Sequence, residues 1–174
     1  MFVAIDGHGG SGKSTLADLL GETLQASIIH IDDFAGIDSP PGWWSNVIAQ
    51  VFEPVSAGAE SIAYQPESWG EDHHPQAVTL PVTPIMILEG VSSSRSKFAD
   101  FIGFRVFVDT PKEICLERGI ERDTGAGLRE EDVERMWAEW FAEEEEYMRR
   151  DNPKAKADII LDGTKLFIKQ IVGE

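Results

Sequence analysis

The sequence predicts a three-layer α/β fold, and three observations carry that prediction. Short apolar runs of strand length recur along the chain, and segments with helical spacing stand between them. A glycine-rich loop directly follows the first run. Strands that alternate with helices are joined by crossovers, so the sheet should be mostly parallel with helices on both faces. Ligands of such sheets bind beyond the carboxyl ends of the strands.

Each element has its own signal. Residues 2–6 (FVAID) read as a buried strand bounded by Gly7. From Lys13 to about Gln25, Leu16, Leu19, Leu20 and Leu24 recur at helix spacing. Residues 27–31 (SIIHI) read as a second strand. After the Pro40-Pro41-Gly42 break, Trp44, Val47, Ile48, Val51 and Phe52 mark an amphipathic helix. Residues 54–84, rich in Pro, Gly, Ser and polar groups, read as mostly loop. Residues 85–89 (IMILE) and 104–108 (FRVFV) are the third and fourth strands. Thr110-Pro111-Lys112-Glu113 is a capping box with Pro at the first helical position, opening a helix to about Arg122. The next helix, 130–149, has Val133, Met136, Trp137, Trp140, Phe141, Tyr147 and Met148 on one face. The run Glu143–Glu146 reads as its solvated face, paired with Arg149 and Arg150 at i+4. Residues 157–161 (ADIIL) are the fifth strand. Asp6, Asp32, Glu89 and Asp109 then fall at or just past four strand ends, on one rim.

A chain of 174 residues is one domain with a full core, and the whole of 1–174 is expected to fold as one. Its net charge is −16, from 31 acidic and 15 basic residues, which opposes binding to nucleic acid or an anionic membrane. No apolar run approaches the roughly 20 residues that span a bilayer. A strand that begins at Phe2 leaves no room for a secretory signal, and the single Cys115 cannot form an internal disulfide. A cytoplasmic location is therefore expected.

The segment Gly7-His8-Gly9-Gly10-Ser11-Gly12-Lys13-Ser14 fits G-x-x-x-x-G-K-[ST], between a strand and a helix. Phosphate oxygens need a concave row of backbone N–H groups, and glycine lets the main chain bend and approach that closely. The helix N-terminus that follows adds free N–H groups and a favourable dipole. Gly7 to Ser14, with Thr15, are thus the expected nucleotide-binding residues. Lys13 should reach the terminal phosphates, and the Ser14 hydroxyl should ligate Mg²⁺.

What is done with the nucleotide depends on the remaining motifs. The third strand ends in LEGV and not in the D-x-x-G of GTPases, and AKAD (155–158) lacks the Asn or Thr of their guanine motif. A small-molecule kinase needs a base for the acceptor's proton, an acid for the metal and arginines for the moving phosphoryl group. HIDDF offers Asp32 and Asp33, ILEG offers Glu89, and ERGIERD offers Arg118 and Arg122 at i, i+4. Mg²⁺ is then expected on Ser14 with the carboxylate of Asp32 or Glu89. The segment DTGAGLRE that follows reads as part of a short lid, about 119–130.

Taken together, IDGHGGSGKSTLA, IDDF, ILEGV, VFVDTPKEICLERGIERD and ADIILDG resemble the uridine kinase-like branch of P-loop kinases. The resemblance implies a P-loop NTPase fold with a five-stranded parallel sheet, and ATP with Mg²⁺ as donor. It puts Asp32 on the general base, with Asp33 adjacent, Glu89 on the metal-associated acid beside Ser14, and Arg118 and Arg122 on the lid arginines. The chain is shorter than typical uridine kinases, lacks the usual paired arginines before the lid and has a Trp-rich acceptor segment.

In such kinases the stretch after the second strand, here about 35–84, builds the acceptor pocket. It contains no Lys or Arg, and offers Trp43, Trp44, Tyr64, Trp69, His73 and His74. Aromatic and neutral polar groups suit a neutral hydroxyl acceptor such as a nucleoside. Asp33, Tyr64, Trp69, His73 and Arg95 are the substrate candidates, Arg95 as a cation from outside the segment. Trp44, on the apolar face of its helix, reads as core, and Cys115 as inert packing. Another small acceptor (a sugar, polyol, vitamin precursor or nucleoside monophosphate), or a regulatory protein that binds nucleotide without transfer, remains the alternative.

Overall fold

A computed structural model describes residues 1–35, 42–68, 75–125, 127 and 129–165. The main sheet has strands β1 (Phe2–Asp6), β2 (Ser27–His30), β5 (Met86–Glu89), β6 (Ile102–Asp109) and β7 (Ile159–Asp162). Its order is β2-β5-β1-β6-β7, and every pairing is parallel. The chain therefore runs from β1 out to the edge strand β2, back to β5 beside β1, and then past β1 to β6 and β7. The reversal falls at β1, where a crevice opens at the strand ends. Register brings Ile5 opposite Glu89, His30 opposite Glu89 and Asp109 opposite Asp162, so the carboxyl ends share one rim.

β1 shows why the sheet is buried on both faces. Its odd and even residues feed two different cores. Phe2 and Ala4 join Ile29, Leu88, Val47, Val51, Phe52 and Phe98 on one side. Val3 and Ile5 join Ile87, Val106, Val108 and the helix residues Leu16 and Ala17 on the other. That second layer is α1 (Lys13–Leu24), which leaves the glycine loop directly.

The amphipathic stretch after Trp43 is one continuous helical run, but not a uniform one. α2 (Trp44–Val47) passes through a π turn (Ile48–Phe52) into α3 (Glu53–Ser56). Pro54 lacks the N–H that a regular ladder would give to Gln50, and the widened turn lies just before it. The segment 54–84, expected as mostly loop, holds the end of this helix and an antiparallel hairpin, β3 (Ser61–Tyr64) with β4 (Val78–Pro81). Ile62 and Tyr64, on alternate positions of β3, enter the core, which is what pins the hairpin to the domain.

α4 (Lys112–Gly125) begins where the Thr110-Pro111 signal puts it. It runs past Arg122, so the first half of the expected lid is helix. α5 (Glu130–Asp151) follows, then α6 (Pro153–Lys156) ahead of β7. Among the described residues no helix is long and apolar enough to cross a membrane.

Candidate active site

The glycine loop is shaped by contacts that a side chain would break. Gly10 has φ +75°, and a Cβ there would run into the carbonyl oxygen of Cys115 in α4. At Gly7 a Cβ would stand 2.5 Å from the carbonyl oxygen of Val108 in β6. The loop is thus pressed against two elements at once. Asp6 holds it from behind: this fully buried carboxylate accepts from the N–H groups of Gly7 (2.8 Å) and Ser94 (2.7 Å) and from the Tyr147 hydroxyl (2.6 Å). Burial raises the Asp6 pKa, and the Tyr147, Ser94 and Gly7 hydrogen bonds and the Lys13 charge oppose the rise. Asp6 lies on the rim as expected, but its work is to tie β1, the loop after β5 and α5 together.

The loop's donors are already receiving an oxyanion. Glu144 of α5 accepts from the Gly9 N–H at 3.1 and 3.2 Å and lies 2.9 Å from His8 Nδ1. A carboxylate here demonstrates that the loop's geometry takes an anion, as a phosphate-binding turn must. Lys13 is buried, and its ammonium folds back to donate to the His8 carbonyl at 2.9 Å. Glu144 was read from sequence as part of a solvated acidic face; the structure corrects that. Positions 137, 140, 141, 144, 147 and 148 lie on one helical stripe, so Glu144 shares the face of Trp137 and Phe141. That phase was the available signal.

A cleft of about 580 Å³ opens on the rim, lined from the loop side by Gly9, Gly10, Lys13 and Ser14. Asp32 and Glu89 line it too. Ser14 Oγ donates to Glu89 Oε1 at 3.1 Å, and the other Glu89 oxygen lies 2.7 Å from His30 Nδ1. Burial alone would raise the Glu89 pKa, but the His30 hydrogen bond, Lys13 and Ser14 outweigh it and keep the group below its ordinary value. The same hydrogen bond raises the pKa of His30. Asp32 behaves oppositely. Its side chain is open to the cleft yet ringed by protein, and desolvation followed by the neighbouring Glu89 charge carries its pKa above 3.8 against the pull of Lys13.

Asp32 and Asp33 part company in space. Both stand on a 3₁₀ turn (Ile31–Asp33) after β2. Asp32 faces the cleft, whereas Asp33 accepts a 2.9 Å hydrogen bond from Tyr64 and is not among the lining residues. Tyr64 is itself buried, its ring tilted against Phe34 at 4.6 Å, with its hydroxyl pKa pushed up by burial and by Asp33. Asp33 and Tyr64, both expected at the substrate, thus pair with each other and brace the Asp32 turn from the core side. Trp69 and His73, with His74, lie outside the described residues.

Trp43, offered by the 35–84 segment, and Arg95, a substrate candidate from outside it, line the acceptor side of the cleft. Trp43 lines the cleft, and the guanidinium of Arg95, from the loop after β5, lies over the rings of Trp43 (5.2 Å) and Trp44 (5.0 Å). Trp44 is partly buried against the core, in line with its helix face. The absence of cations from 35–84 thus does not make the wall neutral, because Arg95 reaches into it from another element.

The lid arginines also separate. Arg122 lines the cleft, bonded to Asp123 at 2.7 Å and 5.7 Å from the Trp137 ring centroid. Asp123 also receives the Trp137 indole N–H at 2.8 Å, so α4 and α5 are clamped at this point. Arg118 is not among the lining residues; it donates to the Gly163 carbonyl at 3.3 Å, beyond β7. The structure thus brings one of the two expected lid arginines, Arg122, to the cleft. Cys115 is fully buried with its thiol pushed up to about 11 by burial, which makes it a poor nucleophile.

For Mg²⁺, the described residues hold no cluster of three or more His, Cys, Asp or Glu that would form an all-protein cage. Ser14 and Glu89, 3.1 Å apart beside the loop, fit the other way Mg²⁺ is held, through one or two protein oxygens with phosphate oxygens and water completing the shell.

The parallel order, the strand–loop–helix turn and an oxyanion on the loop's N–H define a P-loop nucleotide-binding fold. Its structural neighbours agree. A protein described as a possible uridine kinase from Bacillus stearothermophilus superposes with a TM-score of 0.64 at 21% identity, over 93% of this chain and 88% of that one. TT1252 from Thermus thermophilus does so with a TM-score of 0.52 at 18% identity, over 93% and 87%. The sequence narrows the class: a model of the phosphoribulokinase / uridine kinase family matches residues 63–165, more than half of the chain. The chain belongs to that family, and so to the P-loop small-molecule kinases. It is 28% identical to the uridine kinase of Cronobacter sakazakii over 147 residues, 71% of this chain and 68% of that one. It is 41% identical to the uridine kinase of Escherichia coli (strain K12) over 49 residues, 28% of this chain and 23% of that one.

Proposed function

We propose that this protein transfers the γ-phosphoryl group of ATP, bound with Mg²⁺, to a hydroxyl of a small molecule held in the rim cleft. The single observation that carries this reading is that a phosphate-type loop and the Asp32 carboxylate face the same cleft. Asp32 accepts the hydroxyl proton as the acceptor oxygen bonds to the γ-phosphorus; the bond from that phosphorus to the β–γ bridging oxygen breaks, and ADP leaves. Gly7 to Thr15 carry the phosphates, and Lys13, with Arg122 once turned from Asp123, offsets the developing charge. Ser14 and Glu89 would hold the metal, which draws charge from the phosphate oxygens. The whole chain 1–174 is read as one catalytic domain with the α4–α5 junction as its lid.

Two acceptor classes each have an observation. A nucleoside is favoured by family membership, by the uridine kinase relatives and by the Trp43 face on the cleft. An acceptor with a negative charge is favoured by Arg95. The reaction itself is tested by ADP release from Mg-ATP on adding alcohols of both classes. Asp32→Asn should lower acceptor-dependent ADP release about 10²–10⁴-fold, while calorimetry finds Mg-ATP binding within a few-fold of the parent's. Full turnover in that variant removes Asp32 from the reaction.

A further inference from the structure

Three cations line the cleft: Lys13, Arg122 and Arg95. Lys13 serves the glycine loop and Arg122 is paired with Asp123. Arg95 differs from both. Its guanidinium carbon lies 5.2, 5.0 and 5.3 Å from the ring centroids of Trp43, Trp44 and Tyr147. Nη2 donates to Ser92 Oγ at 3.0 Å, and Nε is sealed from solvent with no acceptor. Among the described residues no carboxylate stands within ion-pair distance of it. Aromatic faces hold and stiffen a cation, but they supply no acceptor for its N–H edge.

A half-buried guanidinium with one hydroxyl partner is a poor structural pin, since a methionine would fill the same cage without a charge to desolvate. Burial and the like charge of Arg150 lower its pKa against the pull of Asp151, Tyr147 and Asp6. The rest of the cleft is acidic, with Asp32, Glu89, Asp123, Glu143 and Glu144 along it. An anion entering from the acceptor side has one favourable place to go. A planar guanidinium edge matches carboxylate and phosphate oxygens in pairs and leaves much of its charge unmet by a neutral carbonyl.

We infer that Arg95 is the cation that selects the acceptor, and that the molecule phosphorylated is an alcohol that also carries a carboxylate or phosphate, gripped by Arg95 while its hydroxyl meets Asp32. This rests on the phosphotransfer reading and narrows its substrate.

The test uses matched pairs with the full-length protein and Mg-ATP: glycerol against glycerate, a pentose against its 5-phosphate, and a nucleoside against its monophosphate. The charged member of a pair should accelerate ADP release and its neutral member should not; the glycerate and phosphate arms tell carboxylate from phosphate. Arg95→Met should raise the KM of the charged acceptor roughly 10–100-fold, with Mg-ATP affinity unchanged, and Arg95→Lys should recover part of the loss. A wild-type protein that uses neutral members as well as charged ones overturns the inference and leaves the phosphotransfer reading standing. So does an Arg95→Met protein, folded by circular dichroism, whose KM is unmoved. No acceleration by either member of any pair, in a protein that binds Mg-ATP, overturns both.

Discussion

At the scale of single residues, the site rests on how differently three neighbouring carboxylates are solvated. Asp6 is fully buried and spent on backbone donors, Glu89 is drawn below its ordinary pKa by His30, and Asp32 is pushed above its own by desolvation. A base must be ionised to work, so the acid limb of kcat/KM for the acceptor should fall above pH 3.8, at the raised pKa of Asp32. The sign for stability follows from the same shift. A folded-state pKa above the unfolded one gives stability that is fully present below pH 3.8 and is lost as pH rises through the raised value. Asp32→Asn removes that penalty, so at pH 7 the variant should melt at a higher temperature than the parent even though its phosphate transfer is slowed. Differential scanning calorimetry at pH 4 and pH 7 measures this: the gain should be present at pH 7 and shrink at pH 4. A variant that melts lower at pH 7 would mean that Asp32 is a structural group. Sequence could put Asp32 and Asp33 after a strand, but not tell them apart. Their difference comes from Tyr64, 31 residues downstream, which claims one of them.

At the scale of elements, the α4–α5 corner controls the cleft through one close contact. Gly119 of α4 has no room for a side chain, because a Cβ would enter the Trp137 ring. The same indole faces Gly9 and is fixed by its N–H bond to Asp123. Alanine is the better helix former by about 1 kcal/mol, which would favour Gly119→Ala were the site open. Overpacking a fixed ring costs about 1–3 kcal/mol, so the clash should win. Thermal unfolding should show Tm falling, with each 1 kcal/mol worth about 2–4 °C in a domain of this size. A variant as stable as the parent would show that Trp137 can swing aside, and that the corner is looser than this packing implies. Elements of this kind were the legible part of the chain. β1, β5 and β6 are apolar runs of strand length, and α1 and α5 carry apolar residues at helical spacing, both of which depend only on local sequence. The β3–β4 hairpin was not legible, because SIAY and VTLP are short and their pairing spans a long connection. In the sequence Arg95 is only a cation outside the 35–84 segment, and its seat on the Trp43 and Trp44 rings is a tertiary fact that no local pattern encodes.

At the scale of the molecule, a protein of net charge −16 must bind a polyanion, and the loop's N–H groups are the main means it has. One of those groups is already given to Glu144, which brings the far end of the chain back onto its first turn. A phosphate oxygen that takes the Gly9 N–H has to displace that carboxylate, and the freed charge then stands beside the triphosphate. A charge-assisted hydrogen bond of this type contributes about 1.5–3 kcal/mol, part of which returns as the released carboxylate is hydrated. Glu144→Ala removes the competitor and the charge together, so its Kd for Mg-ATP should fall about tenfold, close to 1.4 kcal/mol. Glu144→Gln keeps an acceptor oxygen without the charge and should lie between the two. Without nucleotide the alanine variant should melt lower than the parent, because α5 loses its bond to the loop; saturating Mg-ATP should close that gap, since tighter binding to the native state adds stability in proportion to the logarithm of ligand over Kd. Titration calorimetry and melting curves read the two effects separately. If Glu144→Ala binds Mg-ATP no more tightly than the parent, the carboxylate does not compete for the Gly9 N–H, and the tie between α5 and the glycine loop is one of packing, through Trp137 and Tyr147, alone.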